Sequence, residues 1–207
     1  MKIEQYCHIL ACLMFAVATP LFAQEITECD LQAGHLSDPP HLGPGIPAGE
    51  VIVQKAIPAC REAVAAAPES ARAHYQLSRS LIYWADANGG DFSEAMKHLE
   101  IAASMNYMQA LFVLGLRYRS EGKKCEIEIL TRKAANQGLK SARFTYVNDV
   151  LKGLYKGCEL GADKADMESY LEASASQVGS YYESIVGSYY ESMLLSALKR
   201  ELDAWQP

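Results

Sequence analysis

The stretch from Asp91 to Tyr118 constrains the fold of this chain more than any other. Its apolar and small residues recur at helical spacing on two short segments that meet at Asn106-Tyr107. Small side chains stand where two paired helices would approach each other most closely. A helical hairpin of this kind cannot bury its apolar face alone and must stack on similar units.

Such units recur along the chain with uneven spacing, which connecting loops of different length explain. The pair Ala102-Ala103 returns as Ala134-Ala135 and more weakly as Ala175-Ser176. The other half of the pattern occurs as Ala73-x-x-x-Leu77, Ala110-x-x-x-Leu114 and Ala142-x-x-x-Tyr146. The sequence therefore predicts an all-α fold of stacked helix-turn-helix repeats.

Composition limits the classes of function. The chain has 207 residues, half of them hydrophobic, and a formal net charge of -6, which suits one domain with a substantial core. Because no basic run stands out, we expect no nucleic-acid partner. No motif of a hydrolase nucleophile, zinc protease or phosphate-binding loop occurs, so we predict no catalytic residues and no cofactor.

The N-terminus has the pattern of a secretory signal peptide. Lys2 precedes a short apolar run, Ile9 to Val17, and Ala23 provides a small residue for cleavage. The run is too short to span a bilayer. We predict a signal peptide over residues 1–23, a periplasmic or secreted protein, and no membrane span after cleavage.

Four cysteines remain after that cleavage: Cys29, Cys60, Cys125 and Cys158. An even number in an oxidising compartment favours two disulfides over free thiols. No pair has the close spacing of a zinc site. Four cysteines allow three pairings, and the sequence alone does not choose among them.

Residues 24–49 are predicted to form an extended N-terminal arm, because they are rich in proline and lack helical periodicity. His35, Asp38 and His41 lie three residues apart within it. These three residues could form a metal site or could simply be solvated polar side chains. We favour the second, because no helix places these side chains on one face, and we predict no metal.

Helix boundaries follow from capping residues and prolines. Pro58 fits best in a first turn, so a helix is predicted to begin near Ile57 and to end at Pro68, and Ser70 is a plausible cap for the next. Further helices are predicted over residues 91–104, 108–120, 124–136, around 142–154, 165–178, and in a last segment to about Ala204. Residues 50–190 are assigned to the repeats and residues 191–207 to the end of a C-terminal capping helix.

A duplicated segment lies near the C-terminus. Val178-Gly-Ser-Tyr-Tyr-Glu-Ser184 recurs eight residues later as residues 186–192. An eight-residue step turns a helix by about 80° beyond two turns, so the two copies do not share a face. We interpret it as a local duplication that lengthened the last helix.

The repeats resemble the tetratricopeptide superfamily, and more closely its Sel-one-like branch. That branch has the pattern Ala-Ala-x-x-Gly-x-x-x-Ala-x-x-x-Leu-Gly, which residues 102–115 match with Asn106 in place of glycine. Residues 134–147 match without the final Leu-Gly. The resemblance implies a short right-handed α-solenoid over roughly residues 50–190, in an exported bacterial protein.

The repeat geometry implied by this resemblance favours one disulfide pairing. Cys125 opens one helix and Cys158 follows the helix that returns beside it, so these two should meet. Cys60 lies in the first helix, where Cys29 on the arm can reach it. We therefore predict Cys29–Cys60 and Cys125–Cys158.

In resembling proteins the first helix of each repeat lines a concave groove. Here it carries Tyr75, Phe112 and Phe144, which either anchor a partner or pack between repeats. The candidate partner groove comprises Arg72, Tyr75, Arg79, Tyr83, Phe112, Arg119 and Phe144.

We expect a monomeric exported scaffold that binds an unidentified protein partner through this groove. The alternative, also implied by the family, is a β-lactam-binding or hydrolysing enzyme of its cysteine-rich type. Those members carry a regular cysteine pair in each repeat, whereas the cysteines here are sparse.

Overall fold

The described residues form an all-helical fold. The computed structural model describes residues 25–39, 42–175 and 185–206, with the backbone alone for residues 185–190. The helices are α1 (Glu28–Ala33), α2 (Val53–Ala66), α3 (Ala71–Asn88), α4 (Ser93–Ser104), α5 (Met108–Tyr118), α6 (Lys124–Asn136), α7 (Lys140–Leu151), α8 (Lys164–Ala175) and α9 (Ile185–Ala204). Short 3-10 turns occupy Ala48–Glu50 and Arg119–Glu121.

Packing follows chain order. Each helix from α1 to α8 contacts the next one along the chain, and α1 also contacts α3, as α7 does α9. The small residues of the predicted pattern are buried at these contacts, since Ala102, Ala110, Ala134 and Ala142 are fully inaccessible. Alanine at such positions lets two helix backbones approach closely, as the sequence pattern predicts.

The turns between helices repeat the same hydrogen bonds. Asn106, Gly138 and Gly153 all have positive φ, at 63°, 99° and 71°. In each turn the following residue donates its N–H to a carbonyl five residues earlier, as Tyr107 does to Ala102 at 3.1 Å. This is a Schellman motif, whose left-handed residue is usually glycine and sometimes asparagine. Asn106 therefore adopts the conformation that glycine has at the matching position.

Most predicted helix boundaries are confirmed to within a few residues. The Ser70 hydroxyl accepts from the Ala73 N–H at 3.2 Å and caps α3, and α6 spans the predicted residues 124–136. The first copy of the duplicated segment and the end of the predicted helix 165–178 lie outside the described residues, as does the signal peptide.

Two local predictions were wrong. Helix α2 begins at Val53, four residues before the predicted start, and Pro58 lies inside it. In this second turn Pro58 has no N–H to donate to the carbonyl of Gln54, and its ring crowds that carbonyl. The arm is not extended throughout, because residues 28–33 form α1, which begins with a capping box between Thr27 and Asp30.

Both predicted disulfides are confirmed. Cys29 pairs with Cys60 at a Cα–Cα distance of 4.6 Å, and Cys125 pairs with Cys158 at 5.4 Å. The first fastens α1 to α2. The second fastens the start of α6 to the C-terminal loop, which we define as residues 152–163 between α7 and α8.

Candidate functional site

The predicted groove begins on α3, where four of its members lie at helical spacing. Arg72, Tyr75, Arg79 and Tyr83 follow one another at steps of three or four residues and therefore share one side of the helix. Arg79 connects to Tyr83, because its Nε donates to the tyrosine hydroxyl at 3.0 Å. The first three of these residues are buried. Residues of the N-terminal arm cover them.

Arg72 and Gln76 hold the carboxylate of Asp30 on α1. Arg72 Nε lies 3.0 Å from Asp30 Oδ1 and its Nη2 donates to Oδ2 at 3.2 Å. Gln76 Nε2 donates to Oδ1 at 2.8 Å. Asp30 is fully inaccessible to solvent. A carboxylate buried this completely requires such charged and polar partners.

Arg79 binds the arm through its backbone. Nη1 donates to the carbonyls of Ala33 and Gly34 at 3.0 and 2.8 Å, and Nη2 donates to the carbonyl of Ile46 at 2.7 Å. One guanidinium thus fixes two separate points of the arm. This kind of contact recognises an irregular peptide backbone with little dependence on its side chains.

A second carboxylate of the arm contacts α5 and the residue before it. The Tyr107 hydroxyl donates a short hydrogen bond to Asp38 Oδ1, and Gln109 Nε2 donates to the same oxygen at 3.2 Å. Burial raises the pKa of Asp38, against the opposing effect of the Tyr107 hydrogen bond. Burial and the nearby Asp38 charge raise the pKa of Tyr107. The prediction that Asp38 is a solvated residue was therefore wrong, and His41 lies outside the described residues.

Tyr75 lies between the arm and α5. Its ring packs edge-on against His35 with centroids 5.9 Å apart, and its centroid is 5.1 Å from that of Tyr107. Burial, followed by the charge of Arg79, lowers the pKa of His35 to about 4. Tyr75 is therefore packed inside the molecule, so its side chain has the packing role that the sequence analysis left open.

The groove members on α5 belong to a row that continues beyond the arm. We call Gln109, Phe112, Leu116 and Arg119 the α5 row, because steps of three or four residues place them on one side of α5 and of its C-cap, Arg119. Gln109 touches the arm, whereas Arg119 pairs with Asp149 of α7 at the other end. Between them Phe112 is half-buried and Leu116 is 41% exposed.

Phe144 on α7 is half-buried and packs against the same core cluster as Phe112. The structure therefore divides the predicted groove into a part covered by the arm and a part that remains partly exposed. Sequence reasoning missed Asp30, Gln76, Tyr107 and Gln109. The spacing of Gln76 four residues after Arg72, and of Gln109 three before Phe112, was the available signal.

The described part of the chain contains no group of three or more histidine, cysteine or acidic side chains arranged to hold a metal ion. Within the same residues, no helix has the length and apolar character needed to cross a membrane. Comparison of the chain with family models, curated proteins and solved structures found no match. The resemblance to tetratricopeptide-like repeats stays a prediction from the sequence.

Proposed function

We propose that this protein is an exported scaffold of tetratricopeptide-like solenoid type, which binds a protein partner through the exposed part of its α5 and α7 surface. The observation that supports the proposal is the way in which the helices bind the N-terminal arm. Residues of α3, of α5 and of its N-cap Tyr107 already bind a peptide segment through guanidinium, amide and phenol groups, with Asp30 and Asp38 as the anchoring carboxylates. The α5 row continues this surface with apolar side chains.

The kind of partner follows from the exposed residues. Leu116 offers exposed apolar area, and half-buried Phe112 stands one turn away on the same side of α5. Buried aromatic and apolar anchors contribute most of the affinity of protein interfaces. We expect the partner to place apolar side chains against this row, with polar contacts at its rim.

Export is part of the proposal. Two disulfides within a small helical protein are compatible with an oxidising compartment such as the periplasm or the extracellular space. The alternative function, binding or hydrolysis of β-lactams, rests on the resemblance alone. A turnover assay with purified protein tests it.

The test of the scaffold compares two matched substitutions. Leu116 on α5 and Ile129 on α6 are both exposed, at 41% and 43%, but only Leu116 belongs to the α5 row. Wild type, Leu116→Glu and Ile129→Glu are crosslinked in the native cell envelope, and captured proteins are quantified. A charge in the apolar contact should weaken a partner's affinity at least about 30-fold, because about 2 kcal/mol is lost at such anchors.

The expected result is one reproducible partner that Leu116→Glu loses and Ile129→Glu keeps, with circular dichroism unchanged in both. Equal capture by all three proteins would refute the α5 row as the binding surface. Capture lost equally in both variants would also count against it, because the surface charge alone would then explain the effect.

A further inference from the structure

The two disulfides lie in opposite surroundings. Cys29 and Cys60 are fully inaccessible to solvent and belong to the hydrophobic cluster between α1, α2, α3 and α4. Cys125 is exposed and Cys158 is half-buried. A disulfide is exchanged only where a thiolate can reach one of its sulfur atoms. Of these two bridges, only Cys125–Cys158 is therefore open to attack by another protein in the folded molecule.

The surface around Cys125 is open. Every residue from 119 to 126 is exposed, and so are residues 156 and 157 on the other side of the bridge. A Cβ placed on Gly122 or on Gly157 would have no neighbouring atom of the described chain within 4 Å. A protruding loop of a second protein that carries a cysteine therefore has room to approach the bridge.

The two sulfur atoms of this bridge differ in how well they can carry a negative charge. Cys125 is the second residue of α6, and the N-cap residue, Lys123, makes no side-chain hydrogen bond to the first turn. The N–H groups of that turn therefore remain available to stabilise an anion. Cys158 packs against the hydrophobic core, where a thiolate is stabilised poorly.

Charged side chains near Cys125 do not decide this difference, because they offset one another. Lys123 and Lys124 precede Cys125 in the sequence, and Glu126 follows it. Lys123 is also paired with Glu121, whose Oε2 lies 2.6 Å from the lysine Nζ. The N-terminal end of α6 is therefore what favours a negative charge on Cys125.

We propose that Cys125 is the exchange residue of this protein, at which an exported dithiol–disulfide oxidoreductase of thioredoxin type forms a mixed disulfide when it breaks or makes the Cys125–Cys158 bridge. The encounter with such an enzyme depends on export, which is part of the proposed function. The reactivity of Cys125 does not depend on it.

Reduction of the bridge proceeds in two steps. A thiolate of the oxidoreductase attacks Cys125 Sγ, the bond between the two cysteines breaks, and its electron pair leaves with Cys158 Sγ, which takes a proton from water. The second cysteine of the oxidoreductase gives its proton to water and attacks the enzyme's own sulfur in the mixed disulfide, so that Cys125 leaves as a thiolate. The enzyme's dithiol is oxidised to a disulfide, and the bridge is reduced to the Cys158 thiol and the Cys125 thiolate. Because a stabilised thiolate leaves faster, the start of α6 favours the second step.

The experiment traps the mixed disulfide. The processed, oxidised protein is mixed with reduced thioredoxin whose resolving cysteine is replaced by serine, quenched with acid, alkylated and mapped by mass spectrometry without reductant. Two matched variants, Cys125→Ser and Cys158→Ser, lose the same bridge and each keep one of its thiols. The rate at which that thiol reacts with an aromatic disulfide reagent at pH 7 is measured in both, after circular dichroism has shown equal helical content.

The expected result is a mixed disulfide on Cys125, at least about tenfold more abundant than on Cys158, with none on Cys29 or Cys60. The thiol kept in Cys158→Ser should react about tenfold faster than the thiol kept in Cys125→Ser.

The proposal would be overturned if no mixed disulfide formed, if it formed on Cys158 to an equal or greater extent, or if it formed on the buried bridge. A rate for the Cys125 thiol no higher than that for the Cys158 thiol would overturn it as well. These assays contain no partner of the α5 row, so failure of the exchange residue and failure of the scaffold proposal are distinguishable.

Discussion

The N-terminal arm and the C-terminal loop are both held against the helices, but by different kinds of contact. Each is a largely irregular segment held on the helices by one disulfide and by hydrogen bonds to buried carboxylates. The arm brings its own carboxylate, Asp30, into contact with Arg72 and Gln76. The loop brings neutral donors instead, since the Gly161 N–H donates to Glu128 of α6 at 3.0 Å and the Tyr155 hydroxyl donates to Asp149 of α7 at 2.9 Å.

The two disulfides also differ in their exposure to solvent. Cys29 and Cys60 are fully inaccessible, whereas Cys125 is exposed and Cys158 half-buried. The arm is thus attached through buried charges and a protected disulfide, while the loop depends on close packing and an exposed disulfide. We expect the arm to be sensitive to charge and the loop to be sensitive to reductant and side-chain size.

The largest expected effect is loss of the arm's carboxylate. Asp30→Ala leaves the Arg72 guanidinium buried without its counter-ion, which should lower the free energy of unfolding by about 3–5 kcal/mol. Urea denaturation of the oxidised protein measures it. The control is Arg61→Met at the Arg61–Glu94 pair, whose side chains are 55% and 47% exposed, and which should cost less than about 1 kcal/mol. Similar losses in the two variants would mean that the arm is not held by a buried charge.

The second prediction concerns reduction. A thiolate must reach a sulfur to exchange with it, so Cys125–Cys158 should be reduced first. Reduction of Cys29–Cys60 should be on the order of a hundredfold slower, because a local opening of about 3 kcal/mol must precede attack. Timed alkylation and peptide mapping under a mild dithiol give both rates. Simultaneous loss of the two bridges would remove this difference between the regions.

The loop was the more predictable region. The repeat geometry implied by the family resemblance placed Cys158 beside Cys125, and the Ala-Ala pattern gives the turns because small residues and left-handed positions have few alternatives. Asn106 kept the conformation expected of glycine there.

The position of the arm could not be predicted, because the residues that it contacts are distant in sequence. Asp30 and Arg72 are separated by 42 residues, and no local pattern distinguishes a carboxylate that will be buried from one that stays in water. The helical spacing therefore placed Arg72, Tyr75 and Arg79 on one side of α3, but it gave no sign that the arm covers them. The proline-rich composition indicated irregular backbone but gave no indication of where that backbone would bind.

The third prediction tests close packing in the loop. A Cβ on Gly161 would lie 2.2 Å from Arg132 Cζ. The Arg132 side chain could move, but it is held by Glu128 at 2.9 Å and would lose that partner. Gly161→Ala should therefore destabilise the fold by about 1–3 kcal/mol.

Gly49 supplies the control, because no atom lies within 4 Å of a Cβ placed there. Thermal unfolding of Gly49→Ala should match wild type to within about 0.5 kcal/mol. A neutral Gly161→Ala would show that Arg132 rearranges freely and that the loop is not held by this contact.

The smallest effect compares the helix caps that adjoin the two regions. Thr27 caps α1, since its hydroxyl accepts from the Asp30 N–H at 3.2 Å, and Asp163 caps α8 by accepting from the Asp166 N–H at 2.9 Å. Removing either cap by substitution with alanine should cost about 1 kcal/mol. Thr27→Ala should cost more than Asp163→Ala, because the Thr27 hydroxyl also donates to Asp30 Oδ2 at 2.8 Å and so supports the buried carboxylate. Parallel urea titrations decide the order, and a larger loss in Asp163→Ala would mean that the Asp30 network does not depend on its cap.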